Sequence, residues 1–443
     1  MLDLLVMKMS EHEKKKRGRY ALFSIAVAAI FVAAAFASVT AGSTAPADDD
    51  AYLGSGATYT VGEGGDYEDF TDLLGSVTLA DGDTIELVSD IECLEMFVID
   101  GIGITIDMDG NDIEFVLTDL DNFAGIYVKD GSLTIINGGK IVVDGIGKHG
   151  IFVFEACLTA NVNIEAGASG YGIYADTSEV TFTGDIKVGD EEARGINAKE
   201  DSVVTATGSI TTGPRGWGIV AADTSEVTFT GNIYLSHSSI GVNAYESAVI
   251  TVTGNIMAGI DMTLGLADGV TGISAIDNAV ITFTGNVNAL GDESLGIYAS
   301  HTTEVTIDGN VTVGDLSTGI QVYDSAVITV TGNVTVGEDG VGVYAGDGGE
   351  ATIGGKLIVG DGSDLIVLYE DGADPDETIL GSGDNTTPTT KAGYLTYTDG
   401  TSTVWIKEEG GNNGGMNLML VIVVALIIVG AVASTVWFFF LRK

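Results

Sequence analysis

The chain has 443 residues, 63 of them glycine and only 4 proline; high glycine without a G-X-Y period excludes collagen and points to many short strands joined by tight turns. Apolar residues make up 45%, enough for a large core and too many for disorder throughout. The formal net charge is −45, and such a surface repels phosphate backbones, which excludes nucleic acid as a partner.

The first element is a leader. Lys14 to Arg19 form a cationic cluster, Tyr20 to Val39 an apolar run, and Ala35-Phe36-Ala37 and Val39-Thr40-Ala41 are small-residue exits. Residues 1–41 are therefore expected to be a secretory signal peptide, with an uncleaved signal anchor as the alternative. A linker follows over 42–57. Residues 58–92 are expected to cap a larger body. Within them Phe70, Leu73, Leu74 and Val77 have i, i+3, i+4, i+7 spacing, so Tyr67 to Val77 predicts a short amphipathic lid, leading into a strand over Thr84 to Val88.

Repeats dominate the middle, residues 93–369. Gly followed by Ile or Val recurs at Gly125, Gly150, Gly172, Gly195, Gly218, Gly241, Gly272, Gly296, Gly319 and Gly342, with spacings of 25, 22, 23, 23, 23, 31, 24, 23 and 23. One unit runs Gly218-Ile219-Val220-Ala221, a polar corner, Glu226-Val227-Thr228-Phe229-Thr230, then Gly231-Asn232-Ile233. Alternating apolar residues in runs this short mean strands with one buried face. Two or three such strands cannot bury that face alone, so each unit must stack on the next. Roughly a dozen rungs at about 4.8 Å give a rod of about 60 Å. Stacking predicts a core column from Ile126 to Val343, an outward threonine ladder from Thr181 to Thr352, and a corner of Gly231, Gly254, Gly285, Gly309, Gly332 and Gly355 requiring positive φ. Asn232, Asn255, Asn286, Asn310 and Asn333 follow those glycines as an amide ladder.

Residues 370–409 read as an irregular loop and a β-hairpin, Tyr394 to Thr398 and Ser402 to Ile406, turning at Asp399-Gly400. A Gly/Asn tether, 410–415, leads into residues 416–441, about 25 residues without a charge and long enough to span a bilayer. Trp437 and Phe438 to Phe440 form an interfacial belt, and Arg442 and Lys443 place residues 442–443 in the cytoplasm. After signal cleavage the expectation is a single-pass cell-membrane protein with its bulk outside. Six of the 18 bases precede Tyr20 and two close the chain, leaving 10, while 60 of the 63 acids follow Tyr20, so the outer part is near −50. Either a salty or acidic exterior or a specific cation-binding role accounts for that charge.

The lid, Asp81-Gly82-Asp83-Thr84-Ile85, the 23-residue Gly-Ile / Val-Thr-x-x-Gly-Asn-Ile rungs and the Asn column together resemble right-handed parallel β-helix proteins of the pectin-lyase-like class. With its leader and anchor the chain is similar to membrane-anchored adhesin-like surface proteins of archaea and bacteria. The resemblance covers about residues 58 to 409. It implies an all-β, right-handed parallel β-helix, and for function an adhesive or envelope role, with a surface glycan or envelope protein as partner. The alternative it implies is an anchored carbohydrate-binding or polysaccharide-degrading protein.

The candidate sites are few. Five residues after the repeat glycine stand Asp130, Glu155, Glu200, Asp223, Glu246, Asp277, Asp324 and Asp347, with His301 once and Asp176 one residue early. Carboxylates about 4.8 Å apart repel, so adjacent rungs could share calcium; the plainer and favoured reading is that these acids bond turn amides at a solvated corner, with no cofactor. Lyases of this fold use a basic residue beside carboxylates or calcium. Here Lys148, Arg194 and Arg215 precede Gly-Ile strands, with Tyr171 and Trp217 nearby, a set able to hold an acidic sugar. His149, His237 and His301 sit on separate rungs without a matching nucleophile, so no catalytic residue is assigned. The rung between Gly241 and Gly272 gains about eight residues, in the region Gly259 to Gly269, as a binding loop or a seam cover. Asn310, Asn333 and Asn385 lie in N-x-T sequons; the first two belong to the amide ladder. Cys93 and Cys157 fall on different rungs and are expected as two buried thiols.

Overall fold

A computed structural model describes residues 56–258, 268–370 and 377–408. Two apolar segments, 20–39 and 416–441, the tether and the bulk of the inserted loop lie outside the described residues. Among the described residues no helix is long and apolar enough to cross a membrane.

The described body is a parallel β-solenoid of about thirteen turns. Successive strands are dealt in turn to three sheets, here A, B and C, of 15, 12 and 13 strands. One turn runs through Trp217–Ala221 in sheet C, Glu226–Thr230 in sheet A and Ile233–Leu235 in sheet B. Each strand pairs in parallel with its equivalent one turn on; Ile196, for example, is in register with Ile219, which is in register with Val242. Among the described residues only the last strands of sheets A and C, Tyr394–Thr398 and Glu377–Leu380, pair antiparallel.

Stacking puts equal side chains one above another. The sheet C column from Ile126 to Val343 is fully buried throughout, and it meets the inner isoleucines and valines of sheet B, Ile164 to Val334. The glycine before each of these residues is where sheet B packs closest. A Cβ on Gly172 would lie 2.3 Å from the Ile186 side chain and 2.7 Å from the Gly195 carbonyl. The A–B corner is equally tight. Gly231, Gly254 and Gly285 have φ of 146°, 149° and 139°. Positive φ is not what fixes Gly309, Gly332 and Gly355; there a Cβ would reach the preceding turn's carbonyl, at 1.7, 2.3 and 2.5 Å.

The threonine ladder is longer than the repeat alone predicts. It runs unbroken through Thr58, Thr84, Thr105, Thr134 and Thr159 before reaching Thr181. Thr58–Val61 is thus already the first strand of sheet A, and the stack reaches N-terminal of residue 93. The lid is the helix α1, Phe70–Ser76, capped by Asp69, whose carboxylate accepts the Asp72 N–H. Phe70 stacks on Phe97 at 4.3 Å and Leu73 is fully buried, so α1 closes the lower end of the core. At the upper end the hairpin of Tyr394–Thr398 and Thr403–Lys407 adds to sheet A, with Trp405 in register above Thr352. The Lys391 ammonium sits 5.0 Å and 4.9 Å from the Tyr394 and Trp405 ring centres and donates to Thr352 Oγ1 at 2.8 Å.

Both cysteines are free, as expected, but only Cys93 is buried. Cys157 opens a sheet A strand at an outward position, in register with Ser132 and Glu179, and is exposed. Alternation within the strand, not apolar character, decides its side.

Candidate functional site

Two surfaces gather side chains that the core does not use: the corner between sheets C and A, and the outer face of sheet C. At the corner, Asp130, Glu155, Glu200, Asp223, Glu246, Asp277, His301, Asp324 and Asp347 all take left-handed backbone, with φ between 48° and 62°. Asp176 does not belong to this column. Thr177 holds the left-handed position of that turn, and Asp176 remains in the strand, in register with Phe154 and Lys199.

Three corner amides bond carbonyls of the next turn, Asp130 N–H to Phe154 O at 3.2 Å, Glu155 N–H to Asp176 O at 3.0 Å and Asp347 N–H to Tyr369 O at 3.3 Å, while Glu200 N–H approaches the Asp223 carboxylate at 3.4 Å and Asp223 N–H that of Glu246. Most of the acids are nevertheless exposed along the edge, Asp130, Glu155, Glu200, Glu246, Asp277 and Asp324 among them. Repulsion is resolved at one pair: Asp223 beside Glu246 raises the Glu246 pKa, through a shared side-chain hydrogen bond and then through charge. His301 interrupts the acids and reaches both ways, Nδ1 to Asp277 at 3.4 Å and Nε2 to Asp324 at 3.7 Å. Ser300 Oγ lies 3.1 Å from His301 Nδ1, but Ser300 is 1% exposed, so this hydroxyl is closed to a substrate. Among the described residues no three His, Cys, Asp or Glu side chains converge on a metal-sized site. A shallow groove of about 590 Å³ runs beside the corner, lined by Asp130, Glu155, Cys157, Thr177, Glu179 and Asp201.

The sheet C face brings together three of the five predicted sugar contacts. Tyr171, Arg194 and Trp217 occupy one column, and the guanidinium lies between the two rings, 5.1 Å from the Tyr171 centre and 4.5 Å from that of Trp217. Arg194 Nη1 also donates to Asn197 Oδ1 at 2.6 Å, while Arg194 Nε and Asn197 Nδ2 are buried without a partner. Lys148 and Arg215 stand apart from it. Lys148 is buried with Nζ on the Asp119 carbonyl, and Arg215 sits exposed on a turn, paired with Glu191 at 2.9 Å.

The column belongs to a longer stack that the repeat pattern did not single out. Phe123, Tyr127, Phe152, His149 and Tyr174 continue it downward. Phe152 and Tyr174 are 4.4 Å apart with planes 8° from parallel. Rings one turn apart cannot lie flat side by side at a spacing of about 4.8 Å, so Phe152 and Tyr174 stand on edge, face against face, whereas Phe123 and Tyr127 meet Phe152 edge to face, with planes 77° and 82° apart. Among His149, Phe152, Tyr171 and Tyr174 the flat faces are turned to each other, which removes the planar platform a stacked sugar needs there. His149 lies 4.5 Å from Tyr171 and accepts the Tyr171 N–H on Nδ1. Burial, and then the Lys148 charge, lower its pKa to about 4.

Higher on the same face the rings behave differently. Tyr298, Tyr323, Tyr344 and Tyr369 are 5.7 to 6.3 Å apart but tilted by 35° to 54°. Gln321 and Gly346 alternate with them and leave room; a Cβ on Gly346 would meet both Tyr323 and Tyr369 within 3.0 Å. Gln321 Nε2 donates to the Tyr323 hydroxyl at 2.8 Å, and the Tyr344 hydroxyl donates to Glu377 Oε1 at 2.7 Å. Burial raises the pKa of both phenols, so they remain protonated donors. The signal was present in the sequence: Tyr127, Phe152, Tyr174, Tyr298 and Tyr344 each directly follow the Gly-Ile or Gly-Val pair, which is the outward position of a strand.

Against known families, a model described as "Right handed beta helix region" matches residues 194–358. No curated protein matches the chain.

Proposed function

We propose that this right-handed parallel β-helix protein is a non-enzymatic surface rod, held at the cell membrane by residues 416–441, that makes adhesive contacts through the upper outer face of sheet C. The observation that supports this most is the tyrosine patch of Tyr298, Tyr323, Tyr344 and Tyr369 with Gln321 and Glu377. Tilted phenols with amide and carboxylate partners offer apolar faces and hydrogen bonds together, the combination that recognises a hydroxylated surface such as a glycan. No Lys or Arg lies between Trp217 and Gly355, so the patch favours uncharged over acidic sugars. The closed Ser300 hydroxyl speaks against hydrolysis at the Ser300–His301 pair.

Cells displaying the full chain are expected to lose it to external protease and to bind neutral glycan-coated surfaces, with binding lowered severalfold in Tyr298→Ala and Tyr344→Ala. A chain protected from protease would sink the surface reading, and adhesion equal in variants and wild type the patch. The second reading is an anchored polysaccharide-degrading enzyme. Release of sugar fragments by the full chain in lipid vesicles, lost in Arg194→Ala or Arg215→Ala, would replace the first reading by this one.

A further inference from the structure

The three N-x-T sequons occupy two kinds of place. Asn310 and Asn333 stand in the amide ladder of the A–B corner. Asn310 donates through both its backbone N–H and Nδ2 to Asn286 Oδ1, at 3.1 and 3.0 Å, and its own Oδ1 accepts the Asn333 N–H at 2.9 Å. Asn333 Oδ1 in turn accepts the Lys356 N–H at 2.8 Å. A substituent on Asn310 Nδ2 would displace a hydrogen bond, and on either residue it would have to fit a corner stacked about 4.8 Å from its neighbours.

Asn385 is placed otherwise. It lies in the connection from Glu377–Leu380 to Tyr394–Thr398, partly exposed, with exposed Thr386 and Thr387 completing its sequon. The connection is anchored on both sides, by Gly381 N–H on Asp384 Oδ2 at 2.8 Å and by Thr386 N–H on the Thr396 carbonyl at 2.7 Å. Between these anchors the Asn385 carboxamide has no hydrogen-bond partner among the described residues. Its neighbours at 381–384 and 386–390 are exposed, so a bulky hydrophilic group meets no packed surface.

We infer that Asn385 is a site of N-linked glycosylation and that Asn310 and Asn333 are not. The inference rests on export of the chain. The co-reactant is a lipid diphosphate-linked oligosaccharide: the first sugar's C1–O bond to diphosphate breaks, a C1–Nδ2 bond forms, an Nδ2 proton passes to a base of the transferase, and the lipid diphosphate leaves. Nothing is oxidised or reduced.

The test is glycopeptide mass spectrometry of the full chain from membranes of cells that carry an oligosaccharyltransferase, with external protease treatment of intact cells in parallel. A glycan on Asn385, bare Asn310 and Asn333, and loss of one glycan's mass in Asn385→Gln and Thr387→Ala but not in Thr387→Ser are expected. A glycan on Asn310 or Asn333, or a bare Asn385 on chains that protease reaches, would overturn the assignment while leaving export intact. A bare Asn385 on chains that protease cannot reach would remove the export reading and this inference with it.

Discussion

The Arg194 guanidinium lies 4.5 Å from the centre of the Trp217 ring one turn above it, held there by the same register that aligns the core isoleucines. Its other face meets Tyr171, so this cation serves as one layer of an aromatic stack. Arg194→Ala should cost about 1–3 kcal/mol, from two lost ring contacts and an Asn197 oxygen left without its donor. Arg194→Lys should recover only part of that. Thermal unfolding, followed by circular dichroism, measures both; unchanged stability in the alanine variant would mean the stack contributes nothing.

His149 makes the stack sensitive to acid. Its folded pKa is near 4 against an ordinary value of 6.5, so the unfolded chain takes up the proton first as pH falls. Stability should therefore be lost progressively as pH falls from about 6.5 toward 4, by up to about 3 kcal/mol, and level off below. Denaturant titrations across that window should show the slope in wild type and a shallower one in His149→Phe.

Acidic repulsion at the C–A corner gives a different pH dependence. The raised Glu246 pKa means its proton is held more tightly in the folded protein, so its contribution declines as pH rises through and above the ordinary carboxylate range. Asp223→Asn should bring the Glu246 midpoint down, as read by NMR titration. With acids only paired along this edge, the melting temperature should rise equally with sodium and calcium chloride at matched ionic strength. A calcium-specific rise would instead support ions bridging the turns.

Gly172 tests the inner contact between sheets B and C. The added methyl in Gly172→Ala would meet the Ile186 side chain and the Gly195 carbonyl, so both turns must part. A loss of about 2 kcal/mol or more is expected, compared with little change for Gly75→Ala on the exposed face of α1, where a Cβ meets nothing. Chemical denaturation of both variants compares the two.

Much of the fold could be read from the chain because stacking converts sequence offset into spatial column. The Gly-Ile period located sheet C, and the Val-Thr-x-Thr phrase located sheet A. Reading failed where period and geometry part. Thr58, Thr84 and Thr105 complete the threonine ladder from turns whose sequence no longer matches the repeat, so only register reveals them. Asp176 looked like a corner acid one residue out of place, whereas the strand holds it and Thr177 makes the turn. Of the proposed sugar contacts, proximity in sequence found Tyr171, Arg194 and Trp217 but not that their faces are covered. Tyr298 and Tyr344 of the tyrosine patch were legible one residue beyond the glycine motif, but Tyr323 and Tyr369 were not, and the spacing of those two depends on Gly346 between them.

Because the interstrand hydrogen bonds run from turn to turn, they point along the length of the solenoid. Tension applied between its ends would pull on them head-on, a few at a time, beginning at whichever cap yields. Such a body should lengthen in steps as coils peel away, each releasing about 23 residues, or ~75 Å of extended chain. Single-molecule stretching would display this as a regular sawtooth of weak, evenly spaced events, the response of a body that absorbs work gradually and does not snap.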